Sequence, residues 1–163
     1  ARPAHRFALE RWPDFNSHLW HEALEAARAA ERTTLSCGSP LAPMIGLELD
    51  PVVAEQARMN AEAAGVGHVL DLQAGDFRHF QPPPTPGVLV CNPPYGERIG
   101  DRHELEQLYA DLGQMVMEHC GGWNLWLLSG NPELTGALRM KASRRVPVSN
   151  GGIECRWLHY AIR

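Results

Sequence analysis

The order of apolar and polar positions divides the chain into short strand-like runs alternating with longer helical ones. Ser17 is the expected N-cap of a helix over 19–32, with Leu19, Trp20, Ala23, Leu24 and Ala27 on one face. A loop over 33–43 leads to a strand, Met44-Ile45-Gly46-Leu47-Glu48-Leu49. Asp50-Pro51 then opens a second helix, Asp50 as cap and Pro51 at the first helical position, and Gly65 ends it. Val53, Ala57, Asn60, Ala61 and Ala64 fall on its related faces. Strands are expected at 69–74 and 88–91, the second preceded by a connector over 81–86 that holds four prolines. A helix over 104–119 sets Leu105, Leu108, Leu112, Met115 and Val116 on one face, and Gly121-Gly122 stops it. A strand at 123–128 follows, then a short helix over 133–140 that Asn131 caps and Pro132 starts. Asn150-Gly151-Gly152 between the β-prone runs 145–149 and 153–162 is a hairpin signal. Ala1 to Asn16 shows no period and reads as an irregular segment pinned by Phe7, Trp12 and Phe15.

Strand–helix alternation that closes in a hairpin predicts an α/β fold: a mostly parallel sheet under helices, with right-handed crossovers. Val88-Leu89-Val90-Cys91 is a short apolar run bounded by turn chemistry, which reads as a buried strand. It stops at Asn92-Pro93-Pro94-Tyr95, where two prolines enforce extended geometry on the residues before them.

Composition narrows the class without naming a function. With 163 residues, 44% hydrophobic and 21% charged, the chain suits one domain with a sizeable core. No apolar run approaches the roughly 20 residues that span a bilayer, and no secretory signal is visible. Cys37, Cys91, Cys120 and Cys155 are widely spaced, without a C-x-x-C pair, which fits free thiols in the reducing cytoplasm. The eight histidines are scattered; His18 and His21 lack a completing ligand pattern, so no metal is assigned. The net charge of −4 implies that, for a nucleic-acid substrate, most phosphate contacts come from elsewhere. Ser36-Cys37-Gly38-Ser39 looks superficially like a cofactor loop, but no strand precedes it and Pro40 follows.

Three sites follow three successive strands: Glu48, Asp76 with Phe77, and Asn92 to Tyr95. All are expected along the sheet edge where ligands of open α/β sheets bind. A carboxylate such as Glu48 can accept hydrogen bonds from both hydroxyls of a ribose, and Asp76 from an adenine amine with Phe77 against the ring. Asn92 and Pro93 have a different task. An exocyclic base amine is a poor nucleophile because its lone pair is delocalised into the ring. Two acceptors, the Asn92 amide oxygen and the Pro93 carbonyl, favour a pyramidal nitrogen and stabilise the positive charge that develops on alkylation. Tyr95 offers an aromatic face to a base that has left its stack.

Asn92-Pro93-Pro94-Tyr95 downstream of Glu48 and Asp76 resembles the class I S-adenosylmethionine-dependent amino-methyltransferases. The extension Gly96-Glu97-Arg98, Gly121-Gly122-Trp123-Asn124-Leu125, the turn from Ser129 to Glu133, and Ala57-Arg58-x-Asn60 with Ala64-Gly65 narrow the resemblance. Together they look like the bacterial 23S ribosomal RNA guanine-N2 methyltransferases that carry a THUMP domain, from His5-Arg6 and Arg11-Trp12 to the final hairpin. The resemblance implies a Rossmann-like sheet and N2 methylation of one guanine in 23S ribosomal RNA or its precursor particle. It places Asn92, Pro93, Pro94 and Tyr95 at the base, and Glu48, Asp76 and Phe77 at S-adenosyl-L-methionine. A second methyltransferase fused to the chain is compatible with it, and a membrane partner is not. The family's first strand and its Asp-Pro-x-Cys-Gly-Ser-Gly-Thr loop have no match here. The chain is therefore expected to be a partial methyltransferase domain, with that loop and the THUMP domain upstream, and to bind cofactor poorly alone. In the family strand order 3-2-1-4-5-7-6 the absent strand is central. Asn-Pro-Pro-Tyr is shared with N6-adenine DNA and tRNA guanine-N2 enzymes, and a non-catalytic RNA-binding or scaffold module is the rival of another class. The run Arg139, Lys141, Arg144, Arg145 is a candidate phosphate contact.

Overall fold

The computed structural model describes residues 7–36, 41–95 and 102–163. His5, Arg6, the Cys37-Gly38-Ser39 stretch and Gly96-Glu97-Arg98 lie outside the described residues. The chain forms two compact units, one of Ala1–Gly46 with Pro51–Gln73, the other of Leu47–Asp50 with Ala74–Arg163.

In the first unit, α1 spans Ser17–Ser36. Asn16, not Ser17, caps it: its side-chain oxygen accepts from the backbone N–H groups of His18 and Leu19 at 3.0 and 3.1 Å. The helix therefore starts two residues before the first strongly apolar position, and it runs past Arg32 because its Ala-, Glu- and Arg-rich composition has no breaker there. Trp20, Leu24 and Arg28 are its half-buried stripe, while Leu19 is exposed. Before it, a 3-10 turn covers Ala8–Arg11, and Phe7 meets Trp20 edge-on at 5.1 Å. Trp12 stands exposed.

α2 covers Pro51–Ala64 and ends in a Schellman motif: Val66 N–H bonds Ala61 O and Gly65 N–H bonds Glu62 O. It buries Ala54 and Ala61, with Val53 turned out, one position off the expected face. The Arg58 guanidinium donates to the Leu72 carbonyl at 2.7 Å and to Glu55 at 2.9 Å, tying α2 to β2 (Leu70–Ala74). β2 pairs with β1 (Met44–Glu48) as a two-stranded sheet.

The second unit holds a four-stranded sheet in the order β3-β4-β6-β5. β3 is Val88–Cys91, β4 Asn124–Ser129, β5 Arg144–Asn150 and β6 Ile153–Ala161. β3 and β4 run parallel; β6 is antiparallel to both β4 and β5. β3 is an edge strand rather than a buried one: Leu89 and Cys91 face the core, while Val88 and Val90 are 59% and 66% exposed. The core lies between the sheet and the helices α3 (Arg102–His119) and α4 (Pro132–Ala137), around Tyr109, Val116, Leu125, Leu127 and Leu138. On α3 the inward set is Leu105, Tyr109, Gly113, Met115 and Val116; Tyr109, polar at its tip, sits at the centre. Asn131 caps α4 as expected, accepting from Glu133 and Leu134 N–H, with Pro132 first. The hairpin closes one residue later than expected. Gly151 and Gly152, at φ 59 and 86, are the two central turn residues, and Asn150 is the last paired residue of β5.

Candidate active site

β3 delivers the chain to Asn92-Pro93-Pro94-Tyr95, which leaves the sheet in extended form. Asn92 is exposed; Pro93, Pro94 and Tyr95 are half-buried. Behind them, burial pushes the Cys91 thiol up to about 12, so at neutral pH it is an uncharged core group and no nucleophile.

Tyr95 is held at both ends. Its ring lies over Gly130, where an added Cβ would come within 3.2 Å of it and 3.3 Å of the Glu154 carbonyl. Its hydroxyl accepts from the Asn150 amide at 2.8 Å and from the Cys155 thiol at 3.5 Å. The Cys155 contact holds the phenol above its ordinary pKa, outweighing the opposite pull of Asn150, so Tyr95 is a neutral aromatic platform. Sequence reasoning missed Gly130, Asn150 and Cys155. Asn150 had been legible only as a turn residue, and nothing local links either group to position 95.

Glu48 ends β1 and Asp76 follows β2. The Glu48 carbonyl accepts from Gly75 N–H at 2.8 Å, which sets the next residue, Asp76, beside it. Glu48 is half-buried; its Oε1 accepts from Asp50 N–H at 2.9 Å, and among the described residues its Oε2 has no hydrogen bond. Asp76 is more committed. Its Oδ1 accepts from Arg78 N–H at 2.9 Å, capping the 3-10 turn Phe77–His79, and its Oδ2 takes the Arg78 guanidinium at 2.7 Å. The Arg78 backbone N–H, then its guanidinium, hold Asp76 below the usual carboxylate range. Arg78 also pairs with Asp111 on α3 at 2.7 Å and lies 5.4 Å from the Phe77 ring centre. Phe77 and Tyr95 both pack against the same core cluster.

Glu48, Asp76, Phe77 and Asn92 to Tyr95 thus all fall in the second compact unit, as two groups at strand ends. A free carboxylate oxygen at Glu48 suits ribose hydroxyls, and Asp76 keeps unused lone pairs on both oxygens. The Gly122-Trp123-Asn124 part of the motif set is scaffold. Gly122 N–H bonds Ile162 O, Ile162 N–H bonds Trp123 O, and Asn124 Oδ1 lies 2.8 Å from His159 Nε2, all locking β4 to β6.

Compared with known proteins, residues 5–159 match a family described as "RMKL-like, methyltransferase domain". The chain is 38% identical over 156 residues to "Putative RNA methyltransferase slr0064" of Synechocystis sp., covering 96% of this chain and 39% of that protein. It is 36% identical over 157 residues to "Ribosomal RNA large subunit methyltransferase K/L" of Shewanella sp. strain ANA-3, covering 96% of this chain and 22% of that one. Among solved structures it is similar to SMU.472, "a putative methyltransferase complexed with SAH", with a TM-score of 0.76 and 25% identity over 98% of this chain and 41% of that one. The chain spans well under half the length of each of these proteins.

Proposed function

Because the chain belongs to the RMKL-like methyltransferase domain family, we propose that it carries the base-gripping part of an enzyme that methylates the exocyclic N2 amine of a guanine in 23S ribosomal RNA or its precursor particle. The observation that carries this reading is Asn92-Pro93-Pro94-Tyr95 at the end of β3, with Asn92 exposed and Tyr95 clamped by Gly130, Asn150 and Cys155. The large-subunit ribosomal RNA relative supports the choice of substrate.

S-adenosyl-L-methionine, when bound, supplies an electrophilic methyl group. Glu48 holds the ribose through its free Oε2; Asp76 and Phe77 take the adenine. At the other group of residues, Tyr95 stacks the flipped-out guanine. The Asn92 side-chain oxygen and the Pro93 carbonyl accept the two N2 hydrogens and favour the charge that develops there. The clamp on Tyr95 fixes the plane of the base, and so the angle at which N2 meets the methyl group. The enzyme acts in the cytoplasm; no described helix is long and apolar enough to cross a membrane.

The test uses the full-length natural protein. Ribosomal RNA lacking the modification is incubated with S-adenosylmethionine, and the digested nucleosides are resolved by mass spectrometry. N2-methylguanosine is the expected product, and Asn92→Ala should lower its rate by about 10²–10³ with unchanged circular dichroism. N6-methyladenosine as product would shift the assignment to the adenine enzymes, and undiminished turnover by Asn92→Ala would overturn the role of the motif. The division of the strands into two sheets favours a second reading for the chain in isolation, a non-catalytic RNA-binding module. RNA binding by the 163-residue chain with no methyl transfer when S-adenosylmethionine is supplied would support it.

A further inference from the structure

We infer that the cleft between α4 and the β5–β6 hairpin seats the single-stranded RNA adjoining the target base, its phosphates on Arg145 and Arg156. This deepens the reading of the neighbouring site and rests on it. The cleft encloses about 970 Å³ and lies wholly in the second unit. Along β5 and β6 the residues of one sheet face alternate into it: Arg145 opposite Leu158, Pro147 opposite Arg156, Ser149 opposite Glu154. Two guanidinium groups thus flank an apolar floor of Pro147, Leu158 and Met140, the pairing that a backbone phosphate and a splayed base require.

Charge supports the same occupant. Residues 139–163 hold six cations (Arg139, Lys141, Arg144, Arg145, Arg156, Arg163) against one carboxylate, Glu154, a local +5 in a chain of net charge −4. Arg28, Arg58, Arg78 and Arg102 are each engaged with a carboxylate. Arg139, Lys141, Arg144, Arg145 and Arg156 have no such ion pair among the described residues. Two of these cations, Arg145 and Arg156, line the cleft, which suits it to meet an anion. Position then singles out RNA. The cleft shares Gly130 and Cys155 with Tyr95, so a strand leaving a base stacked on Tyr95 passes over Gly130 into the cleft. Glu154 at the rim accepts from a base amine and repels a bare phosphate, which favours a nucleotide over inorganic anions.

The test is fluorescence anisotropy of a labelled 12-nucleotide single-stranded RNA with the 163-residue chain, without S-adenosylmethionine. The double variant Arg145→Ala/Arg156→Ala should bind at least tenfold more weakly and lower the slope of log K against log salt by about 1.4, two phosphate contacts. Arg145→Lys/Arg156→Lys should restore most of that slope. Arg144→Ala, one position along β5 and off the cleft lining, should change affinity less than twofold. Circular dichroism confirms that each variant folds. Equal binding by the double variant, or no RNA binding by the unaltered chain, overturns the inference. So does displacement of the RNA by poly-glutamate as effectively as by unlabelled RNA, which would mark an acidic protein partner. Because the assay contains no methyl donor, failure of methyl transfer leaves its outcome unaffected. Intact binding by the double variant leaves the methyl-transfer reading standing.

Discussion

Gly130 gives the sharpest handle at the scale of single residues. An alanine there puts a methyl group 3.2 Å from the Tyr95 ring and 3.3 Å from the Glu154 carbonyl, so the ring must tilt. Gly130→Ala in the full-length protein should therefore lower the rate of methyl transfer by about 10- to 100-fold, since small misplacements in a reacting geometry cost that much. Thermal denaturation should shift by only a few degrees, because Gly130 lies at the sheet's rim. A collapse of the fold would show that Gly130 serves stability rather than the site. Asn150→Ala removes one of two hydrogen bonds on the Tyr95 hydroxyl at 2.8 Å and should cost about 1 kcal/mol in urea unfolding. A change below about 0.3 kcal/mol would mean that the bond contributes little in solution.

At the scale of elements, α3 and α4 meet through Gly113. A Cβ at that position would lie 2.5 Å from the Leu138 carbonyl oxygen and 2.9 Å from its Cα, both backbone atoms that cannot swing away. Gly113→Ala should destabilise the second unit by about 1–3 kcal/mol or more, although alanine is the better helix former. A neutral or stabilising result would show that α4 slides freely on α3. The 3-10 turn Phe77–His79 is joined to α3 by Arg78, held between Asp76 and Asp111 at 2.7 Å each. Both carboxylates are held below their ordinary value of 3.8, Asp76 first by the Arg78 N–H and Asp111 first by the Arg78 guanidinium. A depressed folded pKa contributes stability that is fully present above the unfolded value and is lost as pH falls through the folded one. The clasp should therefore hold from neutrality down to about pH 4 and weaken below it. Asp111→Asn should flatten the acid limb of stability below that pH, read from urea midpoints; an unchanged limb would show that the clasp does not contribute.

At the scale of the whole molecule, the strands divide between β1–β2 and β3-β4-β6-β5. β3 ends its sheet with Val88 and Val90 exposed, an edge of the kind that proteins ordinarily cover. With the strands in two separate sheets, we propose that the 163-residue chain binds S-adenosylmethionine weakly or not at all, read by calorimetry. Micromolar binding by the chain alone would sink this.

Much of the architecture was legible before any coordinates, because helix stops, caps and hairpins are local. Pro51, Gly65, Asn131-Pro132 and the diglycine turn act on backbone within a few residues, and each marked its boundary to within a residue or two. The Asn-Pro-Pro-Tyr stretch pointed to the methyltransferase family for the same reason: its four residues are consecutive. What the sequence left open was set by partners far along the chain. The bonds on Tyr95 span 55 and 60 residues, and the Arg78–Asp111 pair spans 33. No periodicity encodes such pairings; they exist only once the sheet register sets β6 beside β4 and β5 beside β6. The exposure of Val88 and Val90 was hidden for a related reason: an apolar run shows that a strand forms, but only its neighbours decide whether that strand is covered. From its sequence this protein has its elements and its Asn-Pro-Pro-Tyr stretch; from its tertiary structure alone it has the clamp on Tyr95 and the cleft beside it.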